Sequence, residues 1–566
     1  MKARGISALL LTILACLLIF LNGCHDSDNH SSEKTITSYS LNGVEGTINE
    51  TDKTIIVNMP SLTNVYSLVA TFTTTGQSVA ISTTQQTSGT TVNNFSSPVI
   101  YTVTAEDEST ATYTITVTVN RKWHHPATVT DYISLATQNA ESPQVAMDNK
   151  GNAIIVWYQY ATFETNFGKD HLPGKIFKSE YRNGVWTNPA SFSDCINPGG
   201  TSAKIPQVAM DNNGNAIIVW MQYDGTNWQT FKSEYRNGAW VHPASISDNI
   251  SPDLQNDYGV HDFGVSVAMD DNGNAVISWN QFDGNHGRIF KSEYRNGVWH
   301  HPASLADNIS PDGQDAWFPR VAMDNRGNAI IVWYQNDNTS HKIFKSEYRN
   351  GVWHHPTSLA DNINPNGLFA YYPKVAMDNN GNAIIVWEQY NGENYQIFKS
   401  EYRNGDWHHP ANLSDYISLD GQSAGSPQVA MNNNGNAIIN WHQFNDIDFK
   451  DHIFKSEYRS GAWTYPASLT DYTQNASSPL VVMDNKGNAI ISWSQSDDTR
   501  NYYIFKSEYR NGVWKHPLDL SDSINPYGPY EYAHVSQVVM DDTGNAIIVW
   551  QQYDGFQYRI FKSEYR

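Results

Sequence analysis

The stretch "IFKSEYR" at residues 560–566 decides the fold. Seven earlier copies, identical or nearly so, continue into a second half, as in "IFKSEYRNGVWHHPASLAD" at residues 289–307. The last copy has no second half after it. A matching second half, "RKWHHPATVTD" at residues 121–131, lies far upstream and has no first half before it. We therefore interpret the two segments as halves of one repeat.

A second phrase, "VAMDNxGNAIIVW" or a close variant, starts eight times between the two halves. Successive copies are 52 to 63 residues apart, and a period of this length indicates a propeller, a solenoid or an array of small units. The turn position of the phrase is occupied by Asp148, Asp211, Asp270, Asp324, Asp378, Asn432, Asp484 and Asp541.

Each period contains four segments with the composition of β-strands, which we call a to d. In the fifth period they are "PKVAMD" (373–378), "NAIIVWEQY" (382–390), "QIFKSEYR" (396–403) and "DWHHPANLS" (406–414). The a–b link "DNNGN" and the c–d link "RNG" are typical of tight turns, because Asn and Gly accept positive φ. Four short antiparallel strands per repeat are typical of a propeller blade.

The array has eight a, b and c strands, and it has eight d strands only if residues 121–131 are counted. Pairing that segment with the last c strand would remove two exposed strand edges. The sequence therefore predicts an all-β fold in which residues 121–566 form a closed eight-bladed β-propeller, completed by the strand at 121–131. A linear solenoid and a string of separate small domains are the alternatives.

The first 24 residues have the pattern of an export signal. Lys2 and Arg4 precede an apolar run from Ala8 to Leu21, which suits a signal peptide better than a membrane span. The following "LNGC" resembles the lipobox of bacterial lipoproteins, which implies a signal peptide at 1–23 and lipidation at Cys24. An ordinary signal peptide with an incidental cysteine is the alternative.

The residue after Cys24 is His25, where an Asp would be expected in a lipoprotein retained at the inner membrane. The lipoprotein resemblance therefore implies anchoring in the outer membrane or at the cell surface, with the face of the membrane left open. Residues 24–34 are short and polar, and we interpret them as a flexible tether.

Residues 35–120 form a region of different composition. They alternate Thr, Val, Ser and Ile, as in "TYTITVTVN" at 112–120, which predicts antiparallel strands with one buried face. The length suits a small β-sandwich. The region resembles the Ig-like domains of bacterial surface proteins, and that resemblance implies a spacer without catalytic residues.

Charge and cysteine content limit the partners. The formal net charge of −21 argues against nucleic acid and anionic lipid surfaces. Of the three cysteines only Cys195 lies beyond the export signal, so we expect no disulfide, and we expect stability to come from packing. The sequence leads us to predict a monomer without cofactor or metal, attached to the membrane through the lipid alone.

Sixteen of the 18 tryptophans occupy two repeat positions, and we interpret both sets as packing residues between repeats. One set ends strand b, at Trp157, Trp220, Trp279, Trp333, Trp387, Trp441, Trp493 and Trp550. The other opens strand d, at Trp123, Trp186, Trp240, Trp299, Trp353, Trp407, Trp463 and Trp514. The charges of "KSEYR" are expected to form either a ladder between repeats or a solvated outer surface.

The "DNxGNA" turn followed by "IIVW" resembles the Asp-box of sialidase-like propellers. The spacing departs from that pattern, and the Ser before its Asp is Ala or Val here, with Met between. The resemblance implies an element of the fold rather than a reaction.

Function is expected at the end of the repeats that holds the b–c and d–a loops, because these loops vary whereas the a–b and c–d turns are nearly constant. Aromatic rings with polar neighbours suit sugars or extended peptides. The alternative is that these rings fold back and fill the loops. The candidate ligand-binding residues are Trp228, Tyr258, Trp317, Phe318, Tyr371, Tyr372, Tyr530 and Tyr532.

A glutamine follows two residues after each strand-b tryptophan, from Gln159 to Gln552. We expect it either to anchor the b–c loop or to contribute to a ring of amides at the mouth of a channel.

The sequence favours a non-catalytic binding module for a carbohydrate or an envelope or surface protein. A sialidase-like glycoside hydrolase is the first alternative, and it is disfavoured because nearly every arginine of the array belongs to "KSEYR" and loop arginines such as Arg500 are scattered. A scaffold for envelope assembly is the second alternative, by analogy of fold alone.

Overall fold

The computed structural model describes residues 30–160, 174–199, 202–252, 264–470, 475–497, 499, 501–528 and 532–566. The fold is all-β, as predicted, and these ranges contain no α-helix. Within them no helix is long and apolar enough to cross a membrane. The described residues include five short 3₁₀ turns, at Phe192–Asp194, Ile246–Asp248, Leu305–Asp307, Leu359–Asp361 and Leu520–Asp522. The chain divides into two compact units between Asn120 and Arg121.

The first unit consists of two sheets that bury a common core. One sheet has the order β2-β1-β5-β8 and the other the order β3-β4-β10-β9-β6-β7, with β4 and β10 parallel. Tyr39, Tyr101 and Tyr113 are fully buried between them. The strands are β1 (Ile36–Leu41), β2 (Val44–Glu45), β3 (Thr47–Asn49), β4 (Thr54–Met59), β5 (Leu68–Thr74), β6 (Ser78–Ile81), β7 (Thr84–Gln85), β8 (Val92–Asn93), β9 (Val99–Thr104) and β10 (Thr110–Val119).

The second unit contains the strands β11 to β43. Its first strands are β11 (Trp123–His124), β12 (Asn139–Met147), β13 (Ala153–Tyr160), β14 (Gly174–Arg182), β15 (Val185–Thr187), β16 (Ala203–Met210), β17 (Ala216–Tyr223), β18 (Trp228–Arg236), β19 (Ala239–Val241), β20 (Val265–Met269), β21 (Ala275–Phe282), β22 (Gly287–Arg295), β23 (Val298–His300), β24 (Ala316–Met323), β25 (Ala329–Asn336), β26 (His341–Arg349) and β27 (Val352–His354).

The remaining strands continue the same order. They are β28 (Leu368–Met377), β29 (Ala383–Tyr390), β30 (Tyr395–Arg403), β31 (Asp406–His408), β32 (Ala424–Met431), β33 (Ala437–Asn445), β34 (Lys450–Arg459), β35 (Ala462–Trp463), β36 (Ala467–Ser468), β37 (Ala476–Met483), β38 (Ala489–Ser496), β39 (Tyr502–Arg510), β40 (Val513–Lys515), β41 (Ala533–Met540), β42 (Ala546–Tyr553) and β43 (Tyr558–Tyr565).

These strands form eight antiparallel sheets, numbered here along the chain. Each begins with an inner strand a and ends with a short strand d. The sheets are sheet 1 (β12–β15), sheet 2 (β16–β19), sheet 3 (β20–β23), sheet 4 (β24–β27), sheet 5 (β28–β31), sheet 6 (β32–β36), sheet 7 (β37–β40) and sheet 8 (β41, β42, β43 and β11).

Sheet 8 combines strands from the two ends of the repeat unit. In β11, Trp123 is opposite Tyr565 and His124 is opposite Glu564 of β43. The pairing that the sequence predicted between the unmatched halves is therefore present, and β11 covers the edge that β43 would otherwise expose.

Neighbouring sheets are joined by a repeated set of contacts, which we call the clasp. Between sheets 4 and 5, Trp407 Nε1 donates to Glu347 Oε1 over 2.6 Å, and Lys345 Nζ lies 4.8 Å from the centre of the Trp407 ring. Arg349 lies 3.8 Å from the ring of Tyr402. Lys345 and Arg349 both form ion pairs with Glu347. The "KSEYR" charges are thus a ladder between sheets.

The clasp closes a cycle. The corresponding tryptophan-to-glutamate hydrogen bonds join Trp240 to Glu180, Trp299 to Glu234, Trp353 to Glu293, Trp407 to Glu347, Trp463 to Glu401, Trp514 to Glu457, Trp123 to Glu508 and Trp186 to Glu564. The last bond connects sheet 8 back to sheet 1, so every sheet has two neighbours.

A second cycle runs through the a–b turns. The backbone amide of Asn149 donates to Asn212 Oδ1 of the next sheet over 2.9 Å. The backbone amide of Asp542 in sheet 8 donates to Asn149 Oδ1 over 3.0 Å. The intervening acceptors, in order, are Asp271, Asn325, Asn379, Asn433, Asn485 and Asp542. Within each turn the side chain of the Asp (Asn in sheet 6) accepts hydrogen bonds from the backbone amides of the residues two and four positions later. Asp324, for example, accepts from Arg326 and Asn328, and these bonds fix the turn.

The inner strands of all eight sheets surround a central cavity of about 410 Å³. Each inner strand contributes from its Val-Ala-Met or Val-Val-Met segment, such as Ala322 and Met323 in sheet 4. The eight strand-b tryptophans are completely buried between sheets, as the sequence predicted.

The glutamine after each strand-b tryptophan has a different role from both that were expected. In sheet 5, Gln389 Oε1 accepts from Trp387 Nε1 over 3.1 Å, and Gln389 Nε2 donates to the carbonyl of Pro365 over 3.1 Å. Pro365 belongs to the d–a connection, and Gln389 is fully buried. In seven sheets the glutamine therefore anchors the d–a connection rather than the b–c loop, and the buried amides form no exposed ring.

Candidate functional site

Strand register places the a–b and c–d turns at one end of each sheet, because Ala153 of β13 is opposite both Met147 of β12 and Tyr181 of β14. We call this the turn end. The b–c and d–a connections are at the other end, the loop end, as the sequence predicted.

A β-bulge interrupts the inner strand near the loop end of every sheet except sheet 3, in the part of the chain that the structure describes. In sheet 4 the register shifts between Trp317 and Arg320, and the bulged residue Phe318 has φ of 52°. A bulge changes the direction of side chains and is frequent beside binding sites. Positive φ at a residue other than glycine costs about 1–2 kcal/mol.

The bulged residue differs among the sheets although its backbone is the same. It is serine in three of them, at Ser142, Ser426 and Ser478, each with φ of 53°. In sheets 4 and 5 it is aromatic, at Phe318 and at Tyr372, whose φ is 51°. The aromatic rings therefore occupy a position that the fold does not require to be aromatic.

Sheets 4 and 5 gather their aromatic residues into one group, which we call the aromatic cluster. Phe318 is 5.9 Å from both Tyr334 and Tyr372, and Tyr371 is 5.4 Å from Tyr334, between ring centres. The members are Trp317, Phe318, Tyr334, His341, Phe369, Tyr371, Tyr372 and Tyr395.

The cluster offers an uncharged aromatic surface. Tyr372 is 47% exposed and Phe369 is 37% exposed, whereas the rings beneath them are partly or fully buried. Burial raises the pKa of Tyr371 and lowers the pKa of His341. Both groups are therefore neutral near pH 7, and the open faces of Tyr372 and Phe369 are available for stacking.

A carboxyl group lies at the border of the cluster with sheet 6. Glu388 is opposite Tyr371 in the sheet, and its Oε2 accepts from the amide of the bulged Ser426 over 2.9 Å. Burial raises the pKa of Glu388 and outweighs that hydrogen bond. Glu388 thus holds the neighbouring bulge in place.

Four of the eight predicted binding residues, namely Trp317, Phe318, Tyr371 and Tyr372, meet in the cluster. Trp228 does not join them: it is 8% exposed, with Tyr223 at 5.8 Å and Lys204 Nζ at 4.2 Å from its ring. Its burial leaves little surface for a ligand.

Tyr532 directly precedes β41 of sheet 8, is 38% exposed and forms an isolated β-bridge with Tyr502 of sheet 7. Tyr258, Tyr530 and the predicted lipidation site Cys24 lie outside the described residues. The cluster members Tyr334, His341 and Tyr395 were missed in the sequence, because all three stand in strands b and c rather than in loops.

No group of three or more His, Cys, Asp or Glu side chains within the described ranges could hold a metal ion.

Comparison with solved structures gives matches of low similarity. A protein of unknown function from Dyadobacter fermentans DSM 18053 has 9% identity and a TM-score of 0.39, covering 78% of this chain and 99% of its own. The polysaccharide lyase Uly1 has 11% identity and a TM-score of 0.41, covering 68% of this chain and 93% of its own. A PL25 ulvan lyase has 10% identity and a TM-score of 0.40, with coverage of 66% and 94%. These likenesses assign no activity to this chain.

The comparison with curated proteins finds no match. Residues 36–117 match the protein family described as "SGBP, N-terminal". The matched residues all belong to the first unit, so this chain is similar to that family in its first unit, and the repeat unit lies outside the match.

Proposed function

We propose that this protein is a non-catalytic glycan-binding protein of the bacterial cell surface, and that its ligand binds to the aromatic cluster of sheets 4 and 5. The observation that carries the proposal is the placement of Phe318 and Tyr372 on adjacent bulges. Sugar rings present apolar C–H faces that stack on aromatic side chains, while their hydroxyl groups require polar neighbours.

The first unit supports the same function. The family that residues 36–117 match is one of surface glycan-binding proteins of bacteria. We propose that this unit is an Ig-like spacer within residues 35–120, and that Cys24, after a signal peptide at 1–23 and before a tether at 24–34, carries the lipid that holds the protein at the outer membrane.

We propose that residues 121–566 form a closed eight-bladed β-propeller, each sheet being one blade. The cyclic clasp and the cyclic turn hydrogen bonds both support this architecture. It places the bulges of seven sheets around one opening, so that the cluster occupies two adjacent blades.

The hydrolase alternative has less support. A sialidase-like site needs a cluster of arginines around the substrate carboxylate, but Arg288 and Arg559 at the loop end are ion-paired with Asp283 and Asp554 of their own turns. A reducing-sugar assay on each bound glycan tests this alternative, and sustained release of product would make the protein an enzyme.

The experiment is a glycan array followed by calorimetry on the best ligand. The double variant Phe318→Ser/Tyr372→Ser introduces the residue that sheets 1, 6 and 7 carry on the same backbone, so the fold is expected to remain. We expect at least a tenfold loss of affinity. Phe556→Ser is the matched control, because Phe556 is an 86% exposed ring at the loop end of sheet 8.

Binding that survives in the double variant would move the site away from the cluster. An array without any signal for the wild-type protein would contradict the glycan-binding function itself.

A further inference from the structure

One position of the inner strand carries positive charge in sheets 4 and 5 alone. It directly precedes the Val-Ala-Met or Val-Val-Met segment that lines the central cavity. In sheet order its residues are Gln144, Gln207, Ser266, Arg320, Lys374, Gln428, Leu480 and Gln537. The set includes two cations and no acid, and the cations belong to the two sheets that form the aromatic cluster.

Side chains at this position meet between adjacent sheets. Gln537 Nε2 of sheet 8 donates to Gln144 Oε1 of sheet 1 over 2.9 Å. The inner strands β24 and β28 of sheets 4 and 5 are likewise next to each other. Burial, and then the charge of Arg320, lower the pKa of Lys374 well below its usual range. Arg320 and Lys374 are therefore neighbours in a partly buried setting.

Neither cation has an ion-pair partner among the described residues. Glu388, on the strand next to Lys374 in sheet 5, is bonded to the Ser426 amide, and burial favours its neutral form. Two like charges at adjacent positions repel each other, and partial burial increases the cost of each charge.

A neutral amide side chain can make the same local contact at this position as Arg320 does. Arg320 Nη1 donates to the carbonyl of Pro319 over 3.0 Å, and Gln207 Nε2 makes the same contact with Pro206 over 2.9 Å. Glutamine occupies the position in four sheets. The positive charge of Arg320 thus exceeds what the local structure requires.

We propose that Arg320 and Lys374 form an anion-binding site at the base of the aromatic cluster, and that the glycan carries carboxylate or sulfate groups. A single proline separates each cation from a ring of the cluster, in Phe318-Pro319-Arg320 and in Tyr372-Pro373-Lys374. A sugar stacked on those rings would direct an acidic substituent toward the cations, where the guanidinium can bind two oxygens at once. This inference rests on the proposed function.

The net charge of −21 gives the protein no general attraction for acidic polymers. Binding of an acidic glycan would therefore have to come from a local site of this kind.

Affinity electrophoresis of the full chain in gels containing pectate, κ-carrageenan or dextran tests the inference with a carboxylated, a sulfated and a neutral polymer. We expect retardation by pectate or κ-carrageenan, and the polymer that retards identifies the anion. Arg320→Gln/Lys374→Gln, which introduces the residue that sheets 1, 2, 6 and 8 carry, should weaken that binding at least tenfold. Lys515→Gln is the matched control, since it removes one positive charge from the exposed outer strand β40.

Equal retardation of the wild type and the double glutamine variant would overturn the inference. Retardation by dextran alone, lost in Phe318→Ser/Tyr372→Ser, would also overturn it while leaving the proposed function in place.

A second readout needs no glycan. Removal of two repelling charges should raise the melting temperature of Arg320→Gln/Lys374→Gln above that of the wild type, and a lower melting temperature would assign the cations to the fold and overturn the inference.

Discussion

The clasp and the bulge are both present around the repeat unit, and they differ in how far their side chains vary. The clasp uses the same Trp, Glu, Lys and Arg at all eight junctions, from Trp186 with Glu564 to Trp123 with Glu508. The bulge keeps its backbone but carries serine in sheets 1, 6 and 7 and an aromatic ring in sheets 4 and 5. The comparison separates positions that stabilise the fold from positions that the fold leaves open to other uses.

The largest effect on stability is expected where strands from the two ends of the repeat unit pair, in sheet 8. Trp123→Ala removes the hydrogen bond to Glu508 and the packing on Tyr565, and Trp407→Ala removes the equivalent contacts between sheets 4 and 5. We expect each to lower the free energy of unfolding by about 2–4 kcal/mol. Chemical denaturation monitored by tryptophan fluorescence measures both. A far smaller effect at Trp123 would show that the sheet-8 junction is not equivalent to the others.

A smaller effect on the free energy of unfolding is expected from Glu347, the carboxylate of the clasp between sheets 4 and 5. Burial raises the pKa of Glu347, but the ion pairs with Lys345 and Arg349 outweigh it, so the pKa in the folded protein is lowered. Its contribution to stability is therefore present above its ordinary pKa near 4.5 and is lost as the pH falls through the folded value. The seven equivalent glutamates shift in the same direction.

The variant Glu347→Gln should cost about 1–3 kcal/mol at pH 7, and the cost should shrink as the pH falls below the ordinary pKa of a glutamate. Denaturation curves between pH 3 and pH 7 provide the measurement. The turn carboxyls of Asp148, Asp211, Asp484 and Asp541 are shifted upward by burial, so their contribution has the opposite pH dependence. A difference between wild type and variant that stays constant with pH would contradict the ionic role of Glu347.

The smallest effect is expected at a bulge without an aromatic ring. Ser426→Gly relieves the positive φ of 53° while its backbone amide still donates to Glu388. Stability should rise by about 0.5–1 kcal/mol. Thermal denaturation against Ser414→Gly, a change at an exposed serine without positive φ, gives the comparison. A loss of stability would show that the side chain at the bulge contributes to the fold after all.

The repeated positions could be predicted from the sequence because each occurs eight times. Tryptophan recurs at the same two positions of every repeat, so the same packing between repeats has to occur eight times. The unmatched halves at 121–131 and 560–566 determine which strands pair. The glutamine after each strand-b tryptophan was misassigned, since its carbonyl partner lies in the d–a connection, whose course the sequence does not specify.

The candidate site was only partly predictable. Trp317, Phe318, Tyr371 and Tyr372 stand out as aromatic residues near variable loops, but the burial of Trp228 depends on Lys204 from another strand. The sequences "FPR" and "YPK" do not reveal the bulge, because a bulge depends on how the inner strand pairs with the neighbouring strand. The substitution of Gln by Arg320 and Lys374 was visible in the repeat alignment, although its meaning requires knowing that the two positions adjoin.

The uniform bulge backbone has an evolutionary consequence. A short cassette such as Phe318-Pro319-Arg320 would meet a similar positive φ at the bulge of sheets 1, 2, 4, 5, 6 and 7, so segments could be exchanged among these sheets without redesigning the frame. Recombination between tandem copies would then reshuffle ligand preference while leaving solubility and assembly untouched. A repeat protein of this kind is a natural starting point for engineering new specificities by transplanting three residues at a time.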